Sequence, residues 1–361
     1  MSKIIKFGVV GLGRGKNVMT DILGEDHVAL CAICDRNPKK RADALAHFEK
    51  QGEADLLCFE DYDEMLKADI DAVYIATDAI YHVPFVIKAL EAGKHVLSEI
   101  PAVNSLEEAK LLKAAVLAHP ELKYMTGENC CYWGNMQAWK TMYEDGKLGQ
   151  AVYAEAEYFH SVADFRNFKE ENYPKEHWRS FNPAIKYLTH DLGPLLYIMN
   201  DRCVSVSCMV PDVKYNPFTS NENQNGIALF KTEKGAVIRI FICFGAYAGF
   251  GHNFRIVGTR GTLQTDANRE LGAANSFARF SDIPGSRDHL IELPMTIESF
   301  GGGKGGHGGA DKKMVLDFVK CILEDTKPPI DVDMGIAISL PGIIAAESAR
   351  QGGVLLEIPE V

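Results

Sequence analysis

No apolar run in this 361-residue chain reaches the roughly 18–20 residues that a helix needs to cross a bilayer. Met1-Ser2-Lys3 leads directly into a strand-like run, without the charged segment, apolar core and cleavage site of a secretory signal. The expected location is therefore cytoplasmic, with no membrane partner. Positive charge is in deficit: 38 Lys and Arg stand against 49 Asp and Glu, a formal net charge of −11. Such a balance argues against a nucleic-acid partner or an anionic lipid surface. The nine cysteines are odd in number and scattered through apolar runs, as expected of reduced thiols packed as small hydrophobes. Cys31 and Cys34 have Cys-x-x-Cys spacing, but no second pair follows at zinc-site spacing, and core packing is expected. His160, Asp164 and His307 match no metal-ligand spacing either, so no metal is expected. Internal repeats and low-complexity tails are missing. The 47% hydrophobic and 24% charged content is that of an ordinary soluble protein, long enough for two domains.

The most informative segment that is present begins at Ile4. The apolar run Ile5-Lys6-Phe7-Gly8-Val9-Val10 ends in Gly11-Leu12-Gly13-Arg14-Gly15; a helix-like stretch follows, then Val28 to Cys34, ending on Asp35. A strand, a glycine turn, a helix and a second strand ending on an acid are what a dinucleotide-binding βαβ unit requires. Gly11 allows the tight turn, and Gly13 lets the backbone approach a pyrophosphate at the helix N-terminus. Asp35 is placed to accept from the adenosine ribose hydroxyls, which favours NAD over NADP, while Arg36 beside it could hold a 2′-phosphate. The third glycine of the fingerprint is absent: Lys16 holds its position, and Gly15 stands one place early.

Strand and helix signals alternate to about residue 125. Asp71 to Thr77 reads as a buried strand, Pro84 to Ala92 as a helix stopped by Gly93, and Lys94 to Glu99 as the next strand. Ser105-Leu106-Glu107-Glu108 is a capping-box pattern. This rhythm specifies a doubly wound α/β Rossmann sheet over residues 1–125, with Ala76-Thr77 and Glu99-Ile100-Pro101 at the strand ends that flank a ligand. Longer strands follow, at Ala151 to Phe159, Val204 to Val210, Gly226 to Phe230, Ala236 to Phe244 and Asn253 to Val257. They predict an α+β domain over 126–361 with an open, mainly antiparallel sheet, helices on one face and the other face left to be covered. The run Gly301 to Gly309, with His307 inside it and Asp311 just after, is read as a loop over an active site.

Four segments taken in order carry a family resemblance. They are the N-terminal glycine turn; Ile75-Ala76-Thr77 with His82 five places on; Ala92-Gly93-Lys94-His95-Val96-Leu97-Ser98-Glu99-Ile100-Pro101; and Val257-Gly258-Thr259-Arg260-Gly261-Thr262-Leu263. Over nearly its whole length the chain resembles the glucose-fructose oxidoreductase and inositol dehydrogenase family, Gfo/Idh/MocA. The resemblance implies NAD as cofactor, a sugar-like small-molecule substrate and a homo-oligomer built through the open sheet face. It implies cofactor contacts from Gly11, Gly13, Arg14, Asp35, Arg36, Ala76, Thr77, His82, Glu99, Pro101 and Asn129. Two departures stand out. Typical members carry Glu-Lys-Pro where this chain has Glu99-Ile100-Pro101, and Asp-x-Gly-x-His where it has Asp191-Leu192-Gly193-Pro194-Leu195. An isoleucine and a leucine cannot move a proton.

Five further segments resemble a narrower branch, that of the NAD-dependent α-N-acetylgalactosaminidases. These are Glu128-Asn129-Cys130-Cys131-Tyr132, Glu157-Tyr158-Phe159-His160, Trp178-Arg179, Tyr187 to Pro194, and Gly306-His307-Gly308-Gly309-Ala310-Asp311. The branch implies substrate contacts from Glu128, Tyr158, Arg179, Tyr187 and His190; His160, Asp191 and His307 are added as substrate-side candidates. Oxidising a ring hydroxyl needs a base for the O–H proton while the cofactor takes the hydride. His190, with an ordinary pKa of about 6.5, suits that role, and Tyr187 three residues earlier would share a helix face with it. Once C3 is a ketone, the C2 proton is acidified, and Tyr158 or Glu128 could remove it and expel the C1 substituent. The expected function is NAD-dependent oxidation of a sugar or glycoside ring hydroxyl at C3. The alternatives are a redox-neutral glycosidase and a non-enzymatic NAD-bound sugar sensor.

Overall fold

The computed structural model describes residues 3–160, 182–213, 224–246, 250–265, 276–293 and 305–361. The chain divides into two compact units: Met1–Glu128 with Lys304–Ile336 and Val361, and Asn129–Gly303 with Ala337–Glu360.

In the first unit, strands β1 (Ile5–Val10), β2 (Val28–Cys34), β3 (Leu57–Phe59), β4 (Ala72–Ile75), β5 (His95–Glu99) and β6 (Tyr124–Gly127) form a parallel sheet in the order β3-β2-β1-β4-β5-β6. Its central strands are buried on both faces: every residue of β4 is inside, and Ile5, Phe7 and Val9 of β1 are fully covered. Continuous apolar runs rather than alternating ones follow from that two-sided burial. The crossover helices start where local chemistry says they should. Asn37 caps Pro38–Lys50 by accepting from Lys39 N at 2.9 Å, with Pro38 at the first helical position. Ser105 caps Leu106–Ala118 by accepting from Glu108 N at 3.0 Å. The return bond of that box runs from Asn104 N to Glu108 Oε2 at 2.7 Å, one residue earlier than the pattern predicts.

The single expected boundary at residue 125 is not how the chain divides, because Lys304–Ile336 returns to the first unit. The helix Ala310–Glu324 buries Met314, Val315, Phe318 and Val319, and the Phe318 ring meets Phe7 of β1 edge-on at 6.3 Å. Beyond this helix, the Ile330 carbonyl accepts from Thr126 N of β6 at 2.8 Å.

The second unit holds β7 (Ala151–His160), β8 (Cys203–Met209), β9 (Asn225–Thr232), β10 (Val237–Cys243), β11 (Phe250–Gly258), β12 (Gly261–Thr265), β13 (Ser276–Phe280), β14 (Ile291–Leu293) and β15 (Leu356–Glu357). They form one open sheet in the order β14-β13-β12-β11-β7-β10-β9-β8-β15. All pairings are antiparallel except β7 with β10, so the sheet is mixed but mainly antiparallel, as expected. Strict alternation sets its faces: in β9, Gly226, Ala228, Phe230 and Thr232 point inward while Ile227, Leu229 and Lys231 are exposed. The inner face is packed by side chains such as Trp139 of the helix Gly134–Glu144, fully buried with its Nε1 donating to Ser276 Oγ at 2.9 Å. The helix Val332–Arg350, which the division of units crosses at residue 336, is long and apolar enough by composition to cross a membrane, but 56% of its apolar window is buried. That burial is the pattern of a core helix.

Candidate active site

The first unit carries a dinucleotide cradle. Gly11 has φ +91°, and a Cβ there would lie 2.3 Å from the Ala76 carbonyl oxygen, so only glycine fits between the ends of β1 and β4. Gly13 is the N-cap of the helix Arg14–Asp21 and supplies no side-chain cap; the nearest atom to a Cβ built there is Lys40 Nζ at 3.8 Å. Uncapped amides at a helix N-terminus, space above Gly13 and a neighbouring ammonium fit a pyrophosphate. Gly15 takes over the packing role of the missing third glycine, since a Cβ there would stand 2.6 Å from Val9 Cγ2. The early glycine is thus a one-residue shift of the fingerprint and not a loss.

Asp35 braces this turn. Its Oδ2 accepts from Leu12 N and its Oδ1 from Asn37 N, both at 2.9 Å, and each oxygen keeps a further lone pair. Arg36 lies 5.0 Å over the Tyr81 ring. Of the other residues expected at the cofactor, Ala76 is buried at the end of β4, and Thr77 Oγ1 donates to the Asp78 carbonyl at 3.3 Å. His82 is buried, with Nδ1 2.9 Å from the Pro101 carbonyl and Nε2 3.1 Å from the Thr77 carbonyl. Both ring nitrogens face protein acceptors, so His82 ties two strand-end loops together rather than reaching a ligand.

Arg14 anchors an ionic network behind the glycine turn. Its Nε donates to Glu99 at 3.0 Å, and its two terminal nitrogens donate to the two Asp311 oxygens at 2.7 and 2.5 Å. Tyr74 OH donates to the same Glu99 oxygen, and His307 Nδ1 lies 3.0 Å from Asp311 Oδ2. Burial would raise the Asp311 carboxyl, but the hydrogen bonds from His307 and Arg14 outweigh it and hold the group well below the usual carboxylate range. Burial likewise opposes the Arg14 charge and is outweighed by Glu99 and Asp311, so Arg14 stays protonated. Desolvation, with the Glu99 charge next, keeps the Tyr74 phenol neutral. His307, expected at the substrate, therefore belongs to the unit that carries the glycine turn; its φ of +51° sits in a run with Gly308 and Gly309, also at positive φ.

The second unit gathers a cluster of aromatic and imidazole rings. Tyr187 closes the 3-10 turn Ala184–Tyr187 and His190 lies in the first turn of the helix Thr189–Met199, so the two are not on one α-helix as expected. Their rings still meet edge-on at 5.3 Å. His190 also meets Tyr158 edge-on at 5.9 Å, and its Nδ1 lies 3.2 Å from Cys130 Sγ. Tyr158, buried on β7, is ringed by His160 at 5.3 Å, Phe244 at 5.1 Å and His252 at 3.9 Å. Asp191 is fully buried and bonds through Oδ1 to His252 Nδ1 at 3.0 Å. Trp133 stands edge-on to His252 at 5.1 Å, and its buried Nε1 has no hydrogen-bond partner among the described residues. Leu195, where the family carries a histidine, has no exposed surface.

Glu128 is fully buried just past the end of β6, its N donating to the Thr126 carbonyl at 3.0 Å, and Asn129 opens the 3-10 turn Asn129–Tyr132. Arg179, Trp178 and Asp164 lie outside the described residues. Sequence reading passed over Cys130, Trp133, Phe244 and above all His252. The last had a usable signal, since it alternates with Phe254 on a strand whose inward positions are otherwise apolar.

Comparison with known proteins agrees with the fold. Residues 5–126 match the oxidoreductase family, NAD-binding Rossmann fold, of Gfo/Idh/MocA, and residues 136–264 match the GFO/IDH/MocA C-terminal domain. A glycosyl hydrolase family 109 protein of Solibacter usitatus is 25% identical over 390 residues, covering 99% of this chain and 88% of that protein. An alpha-N-acetylgalactosaminidase of Tannerella forsythia is 23% identical, covering 99% and 86%. Among solved structures, a levoglucosan dehydrogenase in complex with NADH superposes with a TM-score of 0.84 at 20% identity, covering 99% of this chain and all of that one.

Proposed function

Because the chain belongs to the Gfo/Idh/MocA family of NAD-binding oxidoreductases, we propose that it oxidises a ring hydroxyl, at C3, of a sugar or glycoside, with His190 as base and Tyr187 as its partner. The observation that carries this reading is the meeting of His190 with Tyr187, Tyr158 and Cys130 in one cluster, while Ile100 and Leu195 are buried and apolar. NAD, when bound, would supply the two-electron chemistry, a hydride acceptor for C3 and, in a redox-neutral cycle, the source of the hydride that restores it. His190 takes the hydroxyl proton. For its Nε2 to be the acceptor, the ring proton sits on Nδ1 and is shared with the Cys130 sulfur. Tyr187, at the edge of the His190 ring, can donate to a neighbouring hydroxyl and orient the sugar. The open face of β8, β9 and β10, where Met209, Ile227, Leu229 and Val237 are exposed, is the surface we assign to self-association.

A second reading, a redox-neutral glycosidase, is favoured by Tyr158 standing at His190 and by relatives of nearly full length that carry glycosidase names. Here the Tyr158 phenolate takes the proton from C2 of the 3-keto sugar. The electron pair left behind forms the C1=C2 double bond, and the C1 substituent departs with the pair of its own bond. Water adding across that double bond restores C2–H and leaves the hydroxyl on C1.

Turnover of aryl glycosides in D₂O tests both readings. A glycosidase releases the aglycone without net NADH and puts deuterium at C2; a simple dehydrogenase accumulates NADH and an intact 3-keto glycoside. In either case His190→Ala should slow hydride transfer by about 10²–10⁴-fold with NAD affinity unchanged. Near wild-type turnover in that variant would remove His190 from the mechanism, and a protein that binds NAD yet gives neither product would overturn the enzymatic reading.

A further inference from the structure

His252 stands on β11 directly opposite Tyr158 on β7, so the two side chains leave the sheet on the same face. Their rings lie 3.9 Å apart and 20° from parallel, a flat stack, whereas His160, His190 and Phe244 all meet Tyr158 edge-on or nearly so. The edge of the imidazole is held from behind: Nδ1 lies 3.0 Å from Oδ1 of Asp191, a carboxylate with no exposed surface. A buried carboxylate at one imidazole nitrogen fixes the ring plane, puts a proton on that nitrogen and favours the doubly protonated form. A cation lying flat on a phenol, in a cluster closed by aromatic rings, favours the phenolate over the phenol.

We propose that His252 is the positioning residue for Tyr158: held by Asp191 and stacked on the phenol, it fixes the ring and stabilises the phenolate that takes a substrate proton. This rests on the glycosidase reading for its chemistry, but its test does not. Among the described residues, the titratable groups that face Tyr158 are His160 from its own strand, His190 from the helix Thr189–Met199 and His252 from β11, with Asp191 behind. Of these only His252 stacks on the Tyr158 ring.

Tyr158 titration can be isolated as the difference in tyrosinate absorbance between the whole protein and its Tyr158→Phe variant. The expected result is one tyrosine titrating below the ordinary value of about 10, moving up by about one to two pH units when the same difference is taken in a His252→Gln background. The glutamine amide can still donate to Asp191 and carries no charge, so this variant keeps the fold where His252→Phe, which strands the buried carboxylate, could lose it. In turnover, His252→Gln should lower kcat about 10–100-fold with KM nearly unchanged, and the acid limb of the pH profile should move with the phenol. A Tyr158 titration that is the same in both backgrounds, or that lies at or above the ordinary value in the wild type, overturns the proposal. Absence of turnover on any glycoside would instead strike the functional reading and leave the titration result standing.

Discussion

Asp311→Asn is the substitution whose consequence follows most directly from the geometry. The wild-type carboxylate has no exposed surface and accepts both terminal nitrogens of Arg14 and the His307 ring. Removing one charge of a buried pair costs about 3–5 kcal/mol when the partner is stranded. Arg14 retains Glu99, and its side chain is 29% exposed, which reduces the cost to about 2–4 kcal/mol. At about 2–4 °C per kcal/mol for a unit of this size, the full-length protein should melt about 4–16 °C lower at pH 7 by calorimetry. The pH dependence has a definite sign. Because the folded-state carboxyl is held below its unfolded value, its contribution is complete above about pH 4 and declines as pH falls further, by up to about 1.4 kcal/mol per pH unit. The difference between wild type and variant should therefore be constant from about pH 8 to pH 5 and shrink below pH 4 in urea unfolding. A melting temperature within about 1 °C of wild type at pH 7, or a gap that widens in acid, would refute the argument.

Two further outcomes are expected. NAD should bind more tightly than NADP in parallel titrations, and Asp35→Ala should weaken NAD by about 1.5–3 kcal/mol, because it removes the carboxylate we assign to the ribose hydroxyls and also frees the Leu12 amide that the carboxylate now holds; equal or tighter NADP binding would assign the site to Arg36 and Lys40. Ile227→Glu with Leu229→Glu, two exposed positions of β9, should dissociate a homo-oligomer in light scattering without lowering the melting temperature of the monomer, and an unchanged mass would move the self-association surface elsewhere.

Much of the fold was legible in the residues because the deciding interactions are local. Gly11 needs a positive φ, Asn37 and Ser105 cap helices a few positions away, and β4 is apolar throughout because parallel strands are covered on both sides. Family membership could be read for the same reason, since its motifs are short runs at strand ends. The tertiary structure decided everything that depends on distant pairing. Sequence spacing predicted Tyr187 and His190 on one helix, yet a turn and a helix start bring them together. His307 and Asp311 were read as part of the second domain, but 297 residues of chain separate Asp311 from Arg14, and only folding shows that Asp311, with His307 bonded to it, is held to the arginine of the dinucleotide turn. The bond between Asp191 and His252 became visible only once the register of β11 against β7 placed His252 beside Tyr158 with Asp191 behind it. Composition and periodicity determine which elements form. Which side chains meet across a sheet depends on register, a property of two strands at once that neither strand's residues carry alone.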